Sequence, residues 1–298
     1  MTIEAEALRA LAPAKINLFL HVGSKRGDGY HALQSLVAFT EAGDELALSP
    51  DRELKLVIRG PFAGGLKADD DNLVLKAAHA LAAYAGMQRG AYISLKKNLP
   101  IASGIGGGSA DAAATLRGLS RLWGVKLPAE EMRAVAAGLG SDVPVCLACR
   151  TQWMEGRGEI VTPLDPLPAV PMVLVNPGVS VPTPKVFAAL KERNGTGLPL
   201  PPQIATAPDL ISYLKDTSND LEAPARALAP VIGDVLAILA AQSGVRLARM
   251  SGSGATCFAL FDTVGAAADA ADAIIRHHPR WWAVATRIAD ISPAALLD

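Results

Sequence analysis

Leu99-Pro100-Ile101-Ala102-Ser103-Gly104-Ile105-Gly106-Gly107-Gly108-Ser109-Ala110-Asp111 is the stretch on which the reading of this chain turns. Glycine fills all but one of positions 104–108, although it weakens a helix or strand by up to ~1 kcal/mol per residue. What glycine supplies is backbone that adopts positive φ and lets a ligand approach with no Cβ in the way. A strand pattern over 91–97 precedes the loop, and a helix is predicted over 109–123, stopped at Gly124. A strand turning through such backbone into a helix presents free N–H groups and the positive end of the helix dipole together, which suits phosphate. The alternative is a flexible or merely glycine-packed turn. Ser109 and Asp111, opening an apolar helix directly behind the glycines, argue against it. The lysine of the G-x-x-x-x-G-K pattern is absent, and neither the βαβ setting nor the ribose carboxylate of a dinucleotide fingerprint is evident. Alone, the loop means a nucleotide or phosphate site.

The chain has 298 residues, half of them hydrophobic, so two packed domains are expected and disorder is not. Lys and Arg number 28 against 29 Asp and Glu, a net charge of −1. Such a balance offers no general attraction to nucleic acid or to an anionic membrane. No apolar run reaches the roughly 20 residues that span a bilayer. Glu4 and Glu6 stand where a signal peptide needs basic residues, which points to the cytoplasm. The three cysteines make no disulfide framework. Cys146 and Cys149 form a C-x-x-C without the further ligands of a zinc site, so buried free thiols are expected.

Residues 15–22 alternate as a strand, with Ile16, Leu18, Leu20 and Val22 on one face and Lys15, Asn17 and His21 on the other. Strands are also predicted over 53–59, 172–175, 245–249, 256–261 and 283–288. Helices are predicted after Asn72, after Pro128 to near Gly140, over 230–242 and over 266–277. Pro163, Pro166, Pro168 and Pro171 mark a domain boundary, giving domains over 1–162 and 163–298. His277-His278 and Trp281-Trp282 read as a helix end with packing aromatics, since no further ligand accompanies them.

The glycine loop resembles the second motif of the galacto-, homoserine, mevalonate and phosphomevalonate (GHMP) kinase superfamily. Pro13-Ala14-Lys15-Ile16-Asn17-Leu18 resembles the first motif, and Met250-Ser251-Gly252-Ser253-Gly254-Ala255-Thr256 the third, in the same order. Arg26-Gly27-Asp28-Gly29-Tyr30-His31, Gly140-Ser141-Asp142-Val143-Pro144-Val145 and the segment from Asn176 to Pro184 are similar to the branch whose acceptor alcohol carries a cytidyl diphosphate. The one departure lies at 100–104, where the family commonly has a further glycine or small residue. Ser103 is small, and little consequence is expected.

The resemblance implies a two-lobed α+β GHMP-kinase-like fold, with an N-terminal α/β ATP-binding lobe and a ferredoxin-like C-terminal lobe. It implies ATP as donor with Mg2+, and a small cytidyl-diphosphate alcohol as acceptor. Neither nucleic acid nor membrane is implied as a partner, and monomer and homodimer both stay open. Residue chemistry alone leaves Lys15 and Asn17 open as a solvated polar face, and Asp142 as a turn residue. The resemblance makes Lys15 and Asp142 the catalytic couple, with Asp142 accepting the proton of the acceptor hydroxyl. It assigns Pro100 through Ala110 to the ATP phosphates, brings the glycine turn Gly252, Ser253, Gly254 against them, and places Asn72, an N-cap candidate, near the adenine. Tyr30 and His31 would hold the cytosine, and Asn17 and Thr183 would touch the acceptor. Only Ser109 suggests itself for the metal. Retention of Lys15 and Asp142 argues against a nucleotide-binding regulator without catalysis. Tyr30-His31 and Pro182-Thr183-Pro184 argue against a sibling kinase of sugars, homoserine or mevalonate.

Overall fold

The structure, a computed structural model, describes residues 7–291. Glu4 and Glu6, on which the compartment expectation rests, lie outside the described residues. The first half builds a sheet from β1 (Leu8–Asn17), β2 (His21–Lys25), β3 (His31–Asp51), β4 (Leu54–Arg59), β5 (Gly90–Lys96), β6 (Gln152–Gly156) and β7 (Ile160–Pro163). Its order is β4-β5-β3-β6-β7, with β1 and β2 also paired to β3, and only β4–β5 is parallel. β3 is the 21-residue spine of this sheet. Over residues 34–40 every position of β3 is buried, so that stretch shows no alternation and no strand is legible there in the sequence.

One face carries α1 (Leu73–Tyr84), α2 (Gly107–Trp123), α3 (Ala129–Leu139) and α4 (Val143–Ala148). Asn72 caps α1 by accepting from the Val74 N–H at 2.9 Å, worth about 1 kcal/mol. α2 is buried almost all round by alanines and leucines and ends at Gly124 in the left-handed region. It begins at Gly107 rather than at Ser109, so two of the loop glycines form its first turn.

In the second half β8 (Pro171–Asn176) leads through α5 (Thr183–Ala188), α6 (Ala207–Lys215), α7 (Glu222–Leu228) and α8 (Val231–Ala240) to β9 (Val245–Met250). β10 (Cys257–Phe261), α9 (Val264–His277) and β11 (Trp282–Arg287) follow. The antiparallel order β11-β8-β10-β9, with α8 and α9 as the crossovers, is the ferredoxin-like arrangement expected for this lobe. Phe19, Leu36 and Trp153 from the first half share a core with Met172, Leu174, Phe258 and Leu260 of the second. No helix among the described residues is long and apolar enough to cross a membrane.

The strand expected over 15–22 is broken: β1 stops at Asn17 and β2 starts at His21. Between them the chain turns to the second half, where the Leu20 N–H donates to Ser218 O at 2.9 Å. Lys15, Asn17 and His21 are therefore buried, at 4%, 3% and 5% exposure, not on a solvated face. Cys146, Cys149 and Cys257 are buried free thiols, and burial pushes all three upward. His277 ends α9, and His278 stacks on Trp281 at 4.1 Å.

Arg249 ties the two halves. Its buried guanidinium donates to Leu18 O at 2.8 Å, to Thr217 Oγ1 at 3.0 Å and to Leu214 O at 2.9 Å, and burial pulls its pKa down to about 10. Arg249→Met removes these charge-assisted hydrogen bonds and is expected to cost on the order of 3 kcal/mol, measured by urea unfolding.

Candidate active site

The loop from Ser103 to Ile105 is held by backbone, each carbonyl by a different distant residue. Thr256 N–H donates to Ser103 O at 3.1 Å, Ser251 Oγ to Gly104 O at 3.4 Å, and Lys15 N–H to Ile105 O at 2.9 Å. The Lys15 N–H is free for this because the β1–β3 register shifts between Pro13 and Lys15. Gly104 sits at φ +78°, and a Cβ there would lie 2.6 Å from Gly254 O and 2.9 Å from Ser251 O. Gly106, at φ +67°, caps α2 with no side-chain acceptor. The N–H groups of Gly107, Gly108 and Ser109 are therefore left at an open helix N-terminus, the elementary anion receptor.

That terminus forms one wall of a cavity of about 940 Å³. Lys15, Asn17, Asn72 and Asp142 line it, as do Tyr30, His31, Thr183 and the turn Gly252, Ser253, Gly254. Of the loop, Pro100 to Gly104 and Gly106 to Ser109 line it too. Ile105 and Ala110, at 0% and 1% exposure, turn their side chains into the core beside it.

Lys15 Nζ lies 3.3 Å from Asp142 Oδ1 and 3.4 Å from Asn17 Oδ1. Asn17 is itself fixed, donating from Nδ2 to Ser35 Oγ at 2.8 Å and from its backbone to Ser251 Oγ at 3.1 Å. The lysine side chain is 5% exposed and the carboxylate 39%, so the ammonium is the buried member and the carboxylate faces the cavity. Asp142 stands at the N-terminus of α4, a helix of 6 residues, too short to show an apolar period in the sequence.

Tyr30, 58% exposed, lies beneath the Arg157 guanidinium at 5.1 Å. The His31 ring stacks on Phe187 at 5.7 Å and 15°. Thr183 is the first residue of α5, and Ser253 holds its hydroxyl at 2.8 Å rather than the flanking prolines. Asn72 accepts from Val74 and donates to Lys67 O at 2.9 Å.

The profile of the GHMP kinases N-terminal domain matches residues 72–150, and that of the GHMP kinases C-terminal domain matches 206–280. The chain belongs to the GHMP kinases. Curated relatives named 4-diphosphocytidyl-2-C-methyl-D-erythritol kinase are 53% identical in Cereibacter sphaeroides, over 94% of this chain and 98% of theirs, and 49% identical in Rhodospirillum rubrum, over 98% and 97%. A crystal structure of 4-(cytidine 5'-diphospho)-2C-methyl-D-erythritol kinase is 36% identical, with a TM-score of 0.77 over 94% of this chain and 99% of that one. Homoserine kinase from Cytophaga hutchinsonii, at 19% identity and a TM-score of 0.69 over 97% of both chains, shares the fold.

In the phosphate loop Ala102 is held at φ +50°, a conformation costing a side-chain residue roughly 1–2 kcal/mol. Sequence reasoning missed Ser35, Lys97, Arg157 and Phe187. Arg157 and Phe187 carried no motif, and Ser35 lies in the strand whose alternation fails.

Ala102→Gly is expected to raise thermal stability modestly, by up to ~1 kcal/mol, because glycine relieves the strain at the expense of a looser unfolded chain. Gly104→Ala is expected to separate the third motif from the loop and abolish nucleotide binding in a titration calorimeter.

Proposed function

We propose that this cavity transfers the γ-phosphoryl group of ATP to the 2-hydroxyl of 4-diphosphocytidyl-2-C-methyl-D-erythritol, giving the 2-phosphate and ADP. This is a step of non-mevalonate isoprenoid precursor synthesis. The observation that carries the chemistry is the meeting, in one cavity, of an open helix N-terminus with the 3.3 Å Lys15–Asp142 pair. The identity of the acceptor is supported by relatives at about half identity over nearly the whole chain.

The amides of Gly107, Gly108 and Ser109 take the phosphates, with Pro100 to Gly104 and Gly106 walling the donor end. Asn72 keeps one amide N–H for the adenine side beyond the one it gives Lys67. Tyr30, its ring under Arg157, and His31, stacked on Phe187, give the other end flat surfaces for the cytosine. Thr183 and Asn17 reach the acceptor between them.

Asp142 accepts the proton of the attacking hydroxyl. Lys15, fixed by Asn17, aligns that carboxylate and offsets charge on the moving phosphoryl group. Phosphoryl transfer passes through a loose transition state, so a weak base suffices and positioning supplies most of the acceleration. Among the described residues no group of three or more His, Cys, Asp or Glu gathers to hold a metal. Mg2+ would be held by the ATP phosphates and water, with the Ser109 hydroxyl as a protein contact, and would supply neutralisation of phosphate charge. The cavity draws its lining from both halves of the chain, and the cytoplasm is the compartment proposed for the reaction.

Asp142→Asn is expected to lower kcat at least ~100-fold, and near-native turnover would remove Asp142 from the base role. In a coupled ADP-release assay the cytidyl substrate is expected to react and mevalonate, galactose and homoserine are not. Release with one of those three alone would refute the acceptor assignment.

A further inference from the structure

Beneath the phosphate loop lies a buried ionic cluster that the transfer chemistry does not use. Lys97, in the residue just past β5, points its ammonium at Asp44 Oδ2, 2.5 Å away, and at Asp111 Oδ2, 2.6 Å away. All three side chains are at most 4% exposed. Burial alone would lower the lysine, but the two carboxylates together hold it above its ordinary value.

We infer that Lys97 is a positioning residue for nucleotide binding: gripped by Asp44 and Asp111, it fixes both ends of the phosphate loop and so aims the α2 amides. The inference rests on the donor half of the proposed function. Asp44 belongs to β3, and its other oxygen accepts from the N–H groups of Asn98 at 2.6 Å and Leu99 at 2.8 Å, the entry to the loop. Asp111 belongs to the first turns of α2, the exit from the loop. The lysine main chain is anchored independently, donating to Arg59 O at 2.7 Å. Gly107, the first residue of α2, rests on the cluster, since a Cβ there would lie 3.1 Å from Lys97 Nζ. Whatever moves the ammonium moves the floor under the phosphate-binding amides.

The cluster is asymmetric. Both oxygens of Asp44 are engaged, whereas Asp111 Oδ1 is buried with no hydrogen-bond partner. Asp111 therefore serves through one accepting oxygen, which an asparagine carbonyl reproduces and a leucine does not.

The test is calorimetric titration of ADP into the whole chain, with steady-state kinetics beside it. Lys97→Met and Asp111→Leu are expected to weaken ADP about tenfold. KM for ATP is expected to rise in parallel, while kcat and the acceptor KM stay within about twofold. Asp111→Asn is expected to bind ADP like the wild type. Removing one member of a buried ion pair can unfold a protein, whereas replacing all members by apolar residues is often neutral. The triple variant K97M/D44N/D111L, in which the amide oxygen at position 44 still accepts from the Asn98 and Leu99 N–H groups, is therefore measured as well, and is expected to melt near the wild type yet remain weak for ADP. A folded Lys97→Met or triple variant with wild-type ADP affinity would overturn the inference, as would Asp111→Asn as damaging as Asp111→Leu. Wild-type protein that binds no ADP would instead refute the donor assignment itself.

Discussion

An open helix N-terminus does not stay open unaided. The glycines that let phosphate approach also leave the loop with little of its own to hold it, and every residue ordered there costs roughly 1–2 kcal/mol of backbone entropy. This protein resolves the conflict by fixing the loop carbonyls with groups from far away in the chain. Lys15 N–H takes Ile105, while Ser251 and Thr256 take Gly104 and Ser103. The first α2 amides stay bare because no turn precedes them and Gly106 offers no side-chain cap, while the carbonyl bonds hold the loop in place.

The same constraint places the chemistry. Lys15 binds the loop through its backbone and Asp142 through its side chain, so one residue locks donor site and proton acceptor into register. Asn17 repeats the pattern, its N–H on Ser251 and its amide on Ser35, with 234 positions of chain closed between the first pair. Such long-range contacts form late and hold only in the packed fold. Stability of the lobe contact, including Arg249 on Leu18 O, is thus a condition of nucleotide binding as well as of folding.

What could be read in the sequence follows from this division. The glycine loop, α1, α2, α3 and the whole β-α-β-β-α-β pattern of the second lobe were legible because apolar periodicity, caps and glycine stops are local signals. The 34–40 stretch of β3 was not, since a strand buried on both faces does not alternate. α4 and α5, of 6 residues each, are too short to show an apolar period. At the site, Lys15 and Asp142 have no physical signature of their own in the sequence; a resemblance singled them out, and the structure sets them 3.3 Å apart. Lys97 and Asp44 were invisible, because burial of a charge depends on partners that the chain order does not reveal. Asp111 sat in plain view but read only as the start of a helix. The positive φ of Ala102 left no mark in the sequence, since alanine is not a residue that signals it.

The central claim is that ATP phosphates sit on the bare amides of α2 while Asp142 faces the acceptor hydroxyl. The most direct measurement is a crystal structure with a non-hydrolysable ATP analogue and the cytidyl substrate together. The account predicts phosphate oxygens within hydrogen-bond distance of the N–H groups of Gly107, Gly108 and Ser109, and the acceptor 2-hydroxyl between Asp142 and the γ-phosphate. Phosphates bound away from that helix end, or an acceptor hydroxyl out of reach of Asp142, would contradict it.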